Sequence, residues 1–226
     1  MKFDIVSLFP KYFDSPLQES LIAKAIKQKI FEVAIVNLRD FSNLTRHQVD
    51  DKPYGGGAGM VLRADVLAAC VNSLRSKVSK VILLDPTGVK FTQRIASELS
   101  REAHIILICG RYEGVDQRFK DKYVDLQLSI GDYVLNGGEA AGLVVLEAIA
   151  RLLPGTIGNA ASLENESFSA KDGSLRLDYP HYTRPEKFEG KSVPQVLISG
   201  DHKKIASWKQ GKALEVTQKL RPDLLK

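Results

Sequence analysis

Hydrophobic residues in the first 150 positions follow strand spacing and helix spacing in alternation. Residues 3–9 and 33–38 are short apolar runs that predict strands, and the apolar residues between Leu17 and Ile26 recur at the spacing of one helix face. A strand, a helix and a second strand in succession predict parallel pairing within one sheet. The pattern therefore predicts an α/β fold.

The alternation resumes after a loop at residues 39–60 and continues to about Leu153. Thr92 is placed to cap a helix that carries Ile95 and Leu99 on one face. The other predicted helices are residues 66–74, residues 115–122 and the apolar stretch that follows Gly138, and the remaining predicted strands are residues 81–84, 104–109 and 123–129.

The composition changes after Leu153. Residues 154–174 are rich in Gly, Asn, Ala and Ser without a sustained period, which predicts a linker. Beyond residue 186 a helical pattern returns, and we expect a small core made of Ile205, Trp208, Leu214, Val216 and Leu220.

Positive charge is concentrated at the carboxyl end of the chain. The formal net charge is +5, and residues 181–226 carry 10 basic and 5 acidic side chains, whereas residues 1–180 carry 22 of each. A neutral body with a basic end indicates a polyanionic partner, with nucleic acid the first candidate. The alternative is an ordinary solvated helix surface that is rich in lysine.

Several classes of protein are disfavoured by what the motifs lack. Cys70 and Cys109 stand in apolar patterns without ligand spacing, which disfavours a zinc site or a disulfide framework and favours a reducing compartment. Residues 55–59 lack the Gly-Lys-Ser/Thr ending of a phosphate-binding loop and the spacing of a dinucleotide fingerprint, so ATP and NAD are poor candidates. No signal-peptide pattern or membrane span is evident, so we expect a cytoplasmic protein that does not associate with membranes.

Three glycine-containing loops follow predicted strands in succession. They are residues 83–88 (LLDPTG), 109–114 (CGRYEG) and 130–138 (IGDYVLNGG). Each loop alone is more readily explained as a tight turn. Because ligands of open parallel sheets bind at the carboxyl ends of the strands, the three loops together predict a small-molecule site built largely from backbone atoms.

Four motifs resemble the bacterial tRNA (guanine-N1-)-methyltransferase family, which is the TrmD family of the SPOUT class. They are DDKPYGGGAGM at residues 50–60, LICGRYEGVD at 107–116, SIGDYVLNGGE at 129–139 and YPHYTRPE at 179–186. The resemblance implies an enzyme dependent on S-adenosyl-L-methionine (AdoMet), a deep trefoil knot in the parallel sheet, and a homodimer with composite active sites. It also implies a tRNA substrate and a Mg²⁺ requirement, although no cluster of oxygen ligands predicts a metal site in the chain.

The resemblance also sets the expected domains and cofactor contacts. Residues 1–157 would form the knotted AdoMet-binding domain, residues 158–172 a flexible linker, and residues 173–226 a small, mainly helical, basic tRNA-binding domain. The expected cofactor-binding residues are Pro86, Gly110, Ile130, Gly131, Asp132, Tyr133, Val134 and Leu135, with Gly137 and Gly138 permitting close backbone approach. The alternative for residues 133–135 is that they belong to the core.

The resemblance implies methylation of N1 of guanine 37, immediately 3′ of the anticodon, which requires a base and stabilisation of charge on O6. Glu166 stands where the family has an aspartate directly before Ser-Phe, and it is the expected base in preference to Glu164 and Asp172. Arg151 would stabilise the charge on O6, although a helix-terminal role is the alternative. Glu113 would orient Arg151 or the guanine.

Two other functions remain open from the residues alone. One is a noncatalytic RNA-binding module on a methyltransferase scaffold, which the intact glycine loops disfavour. The other is an AdoMet-dependent enzyme that acts on a different RNA or on a protein, which the basic carboxyl end disfavours. The expected RNA contacts are the phosphate-binding candidates Lys203, Lys204, Lys209 and Lys212, with His181, Tyr182 and Arg184 near the linker.

Overall fold

A computed structural model describes residues 1–159, 166–169 and 175–225. The chain divides into two compact units, Met1–Gly158 and Asn159–Lys226. Much of the segment predicted to be a flexible linker, namely residues 160–165 and 170–172, lies outside the described residues.

The first unit contains a five-stranded parallel sheet in which the neighbouring strands are, in order, Glu32–Asn37, Lys2–Ser7, His104–Cys109, Ser79–Lys90 and Leu126–Ser129. The prediction of an α/β fold with a parallel sheet is confirmed. The strands are β1 (Lys2–Ser7), β2 (Glu32–Asn37), β3 (Asp50–Asp51), β4 (Val61–Leu62), β5 (Ser79–Lys90), β6 (His104–Cys109) and β7 (Leu126–Ser129), of which β3 and β4 form a separate antiparallel pair.

Helices cover both faces of this sheet because alternate residues of the central strands enter two different cores. In β6, Ile105 and Leu107 belong to a core that includes residues of the helices Ser20–Lys27, Gln93–Leu99 and Glu139–Ala150. Ile106 and Ile108 belong to a core that includes residues of the helices Ala64–Leu74 and Gln117–Tyr123. The helices are α1 (Asp14–Leu17), α2 (Ser20–Lys27), α3 (Ala64–Leu74), α4 (Gln93–Leu99), α5 (Gln117–Tyr123) and α6 (Glu139–Ala150). The predicted cap of α4 is confirmed, since the Thr92 side chain accepts a hydrogen bond from the backbone N–H of Ile95.

Strand β5 is longer than the predicted residues 81–84, and its irregularity bears on the site. Its pairing with β7 shifts register between Leu84 and Val89, so residues 85–88 leave the regular ladder. The predicted strand at residues 123–129 starts late, at Leu126, because α5 continues through Tyr123. The β5 irregularity places the first glycine loop at the carboxyl edge of the sheet.

The second unit contains a short antiparallel pair of strands and two α-helices within its described residues, followed by a 3₁₀ helix at Pro222–Leu225. The strands and α-helices are β8 (Lys187–Phe188), β9 (Lys191–Ser192), α7 (Gln195–Ile198) and α8 (His202–Leu220). Leu214 and Leu220 are exposed, so the prediction that they contribute to a small core is wrong. Ile205, Trp208 and Val216 are half-buried on the same helix.

Candidate active site

A cavity of about 310 Å³ lies where the three glycine-containing loops meet, at the carboxyl ends of β5, β6 and β7. Its volume is at the lower end of the range for small-molecule sites. The lining consists of residues 84–87, 110–114, 128–131 and 133–138, together with Ala141 of α6. The loops that the sequence singled out are therefore neighbours in space.

Most of the expected cofactor-binding residues line this cavity, and Asp132 does not. The Asp132 side chain points away into solvent, where its carboxylate lies 3.6 Å from the Lys90 ammonium group. Tyr133, Val134 and Leu135 are all exposed, so the alternative that they are core residues is wrong for each of them. The nine that line the cavity are Pro86, Gly110, Ile130, Gly131, Tyr133, Val134, Leu135, Gly137 and Gly138.

The second and third loops meet through their glycine backbones. Gly138 N–H donates to the Gly110 carbonyl at 2.8 Å. A Cβ atom on Gly138 would lie 2.8 Å from the Cα of Cys109, and one on Gly110 would lie 3.0 Å from the Leu84 carbonyl oxygen. A side chain on Gly138 would force one of the loops to move, because backbone atoms occupy its space, whereas the contact at Gly110 is tight but less severe.

The first loop is tied to α5 by a largely buried ion pair. The Lys120 ammonium group lies 2.6 Å from Asp85 Oδ2, while Asp85 Oδ1 accepts from the backbone and hydroxyl of Thr87. Burial would raise the pKa of Asp85, but the hydrogen bonds from Lys120 and Thr87 outweigh it and lower that pKa. Sequence reasoning missed Lys120 because it lies 35 residues from Asp85 with no local signal of pairing.

A second buried carboxylate joins the ends of β1 and β6 to the third loop. Glu139, the first residue of α6, is 1% exposed and accepts from the Ser7 hydroxyl at 2.8 Å and from Arg111 Nε at 3.1 Å. Arg111 also donates from Nη1 to the Asn136 carbonyl and lies over the Phe9 ring at 4.4 Å. Arg111 and Glu139 stand within the four sequence motifs, and the sequence alone assigned neither of them a role.

The cysteine next to the cavity is not poised as a nucleophile. Burial, together with the nearby Glu139 carboxylate, raises the pKa of the Cys109 thiol well above its usual range. Burial likewise raises the pKa of Cys70 to about 12. Both thiols are therefore protonated near neutral pH.

The three expected catalytic residues are placed differently with respect to the cavity. Glu113 lines it, and its side chain occupies the space where a Cβ on Gly59 would lie. Arg151 follows the last residue of α6 and is not among the lining residues. Since α6 has 12 residues, Arg151 is about 18 Å along the helix axis from the cavity end. One chain therefore does not bring Arg151 to its own cavity.

Glu166 lies in the second unit, within a turn that is tied to the following segment. The Ser169 N–H donates to the Glu166 carbonyl, and the Phe168 N–H donates to the Arg176 carbonyl at 2.7 Å. Ser167 Oγ accepts from the Asp178 N–H at 2.9 Å. The competing carboxylates Glu164 and Asp172 lie outside the described residues.

The basic end of the second unit combines lysines with an aromatic cluster. Tyr179 and Tyr182 both contact Trp208, and the Lys209 ammonium group lies 4.7 Å from the centre of the Tyr179 ring. Lys203 is exposed at the start of α8. Two other candidates for phosphate contact, Lys204 and Lys212, form ion pairs with Asp201 and Glu215 respectively.

Among the described residues, no group of three or more His, Cys, Asp or Glu side chains is arranged to hold a metal ion. The described helices also include none with the length and apolar character needed to cross a membrane.

The fold and the cavity define a class of protein: a parallel α/β protein with a small-molecule site at the carboxyl edge of its sheet, built from glycine-containing loops. Comparison with known protein families identifies the family within this class. The sequence matches the family described as tRNA (Guanine-1)-methyltransferase TrmD over residues 1–226. The chain belongs to this family.

Individual relatives are similar over nearly their whole length. A tRNA (guanine-N(1)-)-methyltransferase of Carboxydothermus hydrogenoformans is 48% identical over 226 residues, covering 100% of this chain and 88% of that protein. The protein of the same name from Geobacter sulfurreducens is 46% identical, covering 100% and 91%. That from Wolbachia pipientis wMel is 49% identical, covering 98% and 94%.

Proposed function

We propose that the protein transfers a methyl group from AdoMet to N1 of guanine 37 in tRNA. The observation that carries the proposal is the cavity at the meeting point of the three loops, with nine of the ten expected cofactor residues in its lining. Family membership over residues 1–226 supports the reaction, and the relatives' names specify guanine N1 as the methylated atom.

The lining residues fit AdoMet as the occupant. The exposed side chains of Tyr133, Val134 and Leu135 offer an apolar surface in the cavity, beside the backbone of the glycine-containing loops. AdoMet supplies an activated methyl group on a sulfonium, so the protein has to place the acceptor and control its protonation. A deep trefoil knot formed by these loops is part of the proposal.

Glu166 is the proposed general base. Guanine N1 carries a proton, and Glu166 accepts it as the bond from N1 to the methyl carbon forms and the methyl–sulfur bond breaks. Two hydrogen bonds hold the backbone around Glu166 in a defined turn: the Phe168 N–H donates to the Arg176 carbonyl, and the Asp178 N–H donates to Ser167 Oγ. Such a turn gives a base a fixed position once the substrate is bound.

Arg151 is the proposed cation that stabilises negative charge on guanine O6, with Glu113 orienting either Arg151 or the guanine. Its position at the far end of α6 supports a site shared between two copies of the chain. We therefore propose a homodimer in which Arg151 and Glu166 act on the cavity of the partner subunit.

The second unit is the proposed tRNA-binding unit. The lysines of α8 suit phosphate contacts, and the exposed ring of Tyr182 suits an unstacked base. The Mg²⁺ requirement that the family resemblance implies stays part of the proposal, with the ion held by the RNA or the substrate, since the described residues contain no cluster of ligands for it. A tRNA substrate is consistent with the cytoplasmic location expected from the sequence.

The function is tested with radiolabelled AdoMet and unmodified tRNA transcripts that differ at position 37. Methyl transfer to the transcript with guanine 37, and none to the transcript with adenine 37, is the expected result. Glu166→Gln should lower the single-turnover rate by roughly 10²–10⁴-fold without changing AdoMet affinity. Glu164→Gln is the matched control and should retain activity. A Glu166→Gln rate within about threefold of wild type, below the usual contribution of a base, would contradict the assignment.

The shared site is tested by mixing two inactive subunits. A Gly110→Trp subunit blocks its own cavity, and a Glu166→Gln subunit lacks the base. If each site draws on both chains, the mixed dimer contains one site with both defects and one with neither, so activity returns in part. Subunit exchange without any recovery would exclude the arrangement.

A further inference from the structure

Arg111 is the one cationic side chain in the cavity lining, as far as the described residues extend. The other charged side chains in the lining are the carboxylates of Asp85 and Glu113. Asp85 is already matched by Lys120 at 2.6 Å. Arg111 is paired as well, with Glu139 at 3.1 Å, but it is the one lining side chain among the described residues that can give an anionic group a charge-assisted hydrogen bond.

The Arg111 guanidinium is held in one position by three contacts. Its Nε donates to Glu139, its Nη1 donates to the Asn136 carbonyl, and the group lies 4.4 Å from the centre of the Phe9 ring. These contacts fix the orientation of the planar fork before any ligand binds. A preorganised side chain loses less conformational freedom on binding than a flexible one.

The same contacts leave most of the donors of Arg111 available. A guanidinium has five N–H groups, and the hydrogen bonds within the described residues engage one on Nε and one on Nη1. Glu139 offsets the charge, yet the Nη2 donors are not engaged by it. With the Arg111 side chain only 22% exposed, a hydrogen bond to an anion here is less weakened by water than one at the surface.

Gly137 reserves the space that this arrangement needs. A Cβ on Gly137 would collide with Arg111 Nε and would lie 2.6 Å from Glu139 Oε2. The third loop is therefore shaped around the ion pair.

We propose that Arg111, oriented by Glu139, binds the carboxylate of the amino-acid part of the methyl donor. The inference rests on the proposed function, because it assumes that AdoMet occupies the cavity. Arg111 contacts the ligand through its fork, whereas Glu139 is a positioning residue that acts through Arg111. The ligand chemistry is an α-amino acid carboxylate attached to the adenosyl sulfonium, and the guanidinium fork matches its planar geometry.

Decarboxylated AdoMet is the probe, because it keeps the adenosyl group and the sulfonium and lacks only the carboxylate. We expect calorimetry on the wild-type protein to show AdoMet binding about 10-fold to 100-fold more tightly than the decarboxylated ligand, as for a hydrogen bond to a charged group. In Arg111→Gln this ratio should fall to about threefold or less, because only AdoMet loses its partner for the carboxylate. If Arg111 merely shapes the loop, the variant weakens both ligands by the same factor and the ratio stays at the wild-type value.

Lys90→Gln is the matched control, since it removes a positive charge near the third loop without changing the cavity lining. Its ratio of AdoMet affinity to decarboxylated AdoMet affinity should equal that of the wild type. If the wild-type protein binds AdoMet and decarboxylated AdoMet with nearly equal affinity, the carboxylate site is overturned whatever the variants do. The site is also overturned if Arg111→Gln keeps the wild-type ratio of the two affinities. Should Arg111→Gln fail to fold, Arg111→Lys replaces it, and a ratio equal to the wild type overturns the role of the fork. Wild-type protein that binds neither ligand contradicts the proposed function instead.

Discussion

The close approach of the second and third loops can be tested with a single methyl group. In Gly138→Ala the new Cβ would lie 2.8 Å from Cys109 Cα and 2.9 Å from Gly110 N. Carbon atoms pack at about 3.5–4.0 Å, so the methyl group is too close by roughly 0.7 Å or more. Both neighbours are backbone atoms, which cannot rotate away, so one loop has to move.

The cost is that of overpacking, about 1–3 kcal/mol, which corresponds to a Tm lower by about 2–12 °C for a unit of this size. Because the same two loops line the cavity, we expect AdoMet to bind at least about fivefold more weakly, or about 1 kcal/mol. Differential scanning calorimetry gives the Tm, and isothermal titration calorimetry gives the affinity.

Gly142→Ala is the matched control, one helical turn further along α6. Its Cβ would lie 3.4 Å from the Cys109 sulfur, an ordinary van der Waals distance, and alanine suits a helix better than glycine by about 0.8–1.0 kcal/mol. We expect an unchanged or higher Tm and unchanged AdoMet affinity. A Gly138→Ala protein with wild-type Tm would refute the close approach. A lower Tm with AdoMet affinity within about twofold of wild type would refute the link between this approach and the cofactor site.

Three further predictions concern the pairs and caps around the site and the basic helix. Lys120→Met should lower the free energy of unfolding by about 3–5 kcal/mol near neutral pH, because it leaves Asp85 as a buried carboxylate without its cation. The lowered pKa of Asp85 means that the pair stabilises the fold above the unfolded-state pKa, about 3.9, and that this contribution disappears as pH falls through the folded-state value. Urea unfolding should therefore show wild type and variant converging in acid, and an equal difference at pH 7 and pH 3 would contradict the pairing. Thr92→Ala should cost about 1 kcal/mol, and Thr92→Ser much less, with AdoMet affinity unchanged in both; equal melting temperatures for wild type and Thr92→Ala would count against the cap. Replacing the α8 lysines by alanine should reduce the slope of log affinity for tRNA against log salt by about 0.7–0.9 for each phosphate that is no longer neutralised, measured by fluorescence anisotropy. An unchanged slope would remove them from the RNA interface. The lysines in question are Lys203, Lys204, Lys209 and Lys212.

Local patterns in the chain determined the element types and the position of the site. The side chains of residues 104–109 are buried on both faces of the sheet, so a continuous apolar run is enough to predict a central strand there. The glycines of the three loops mark where backbone segments approach closely, which is why the cavity lies where the sequence placed it. Thr92 could be assigned because a helix cap depends on residues three positions apart.

Only the tertiary structure decided which charged side chains, distant in sequence, pair with one another. Glu139 reads in the sequence as the polar start of a helix, yet it is buried between Ser7 and Arg111, which are 132 and 28 residues away. Lys120 reads as a surface lysine and is instead matched to Asp85 beside the cavity. Asp132 belongs to the cofactor loop by sequence but turns outward to Lys90. Hydrophobic period and turn chemistry are local properties that neighbouring residues reveal, whereas the pairing of buried charges depends on which strands the fold sets side by side.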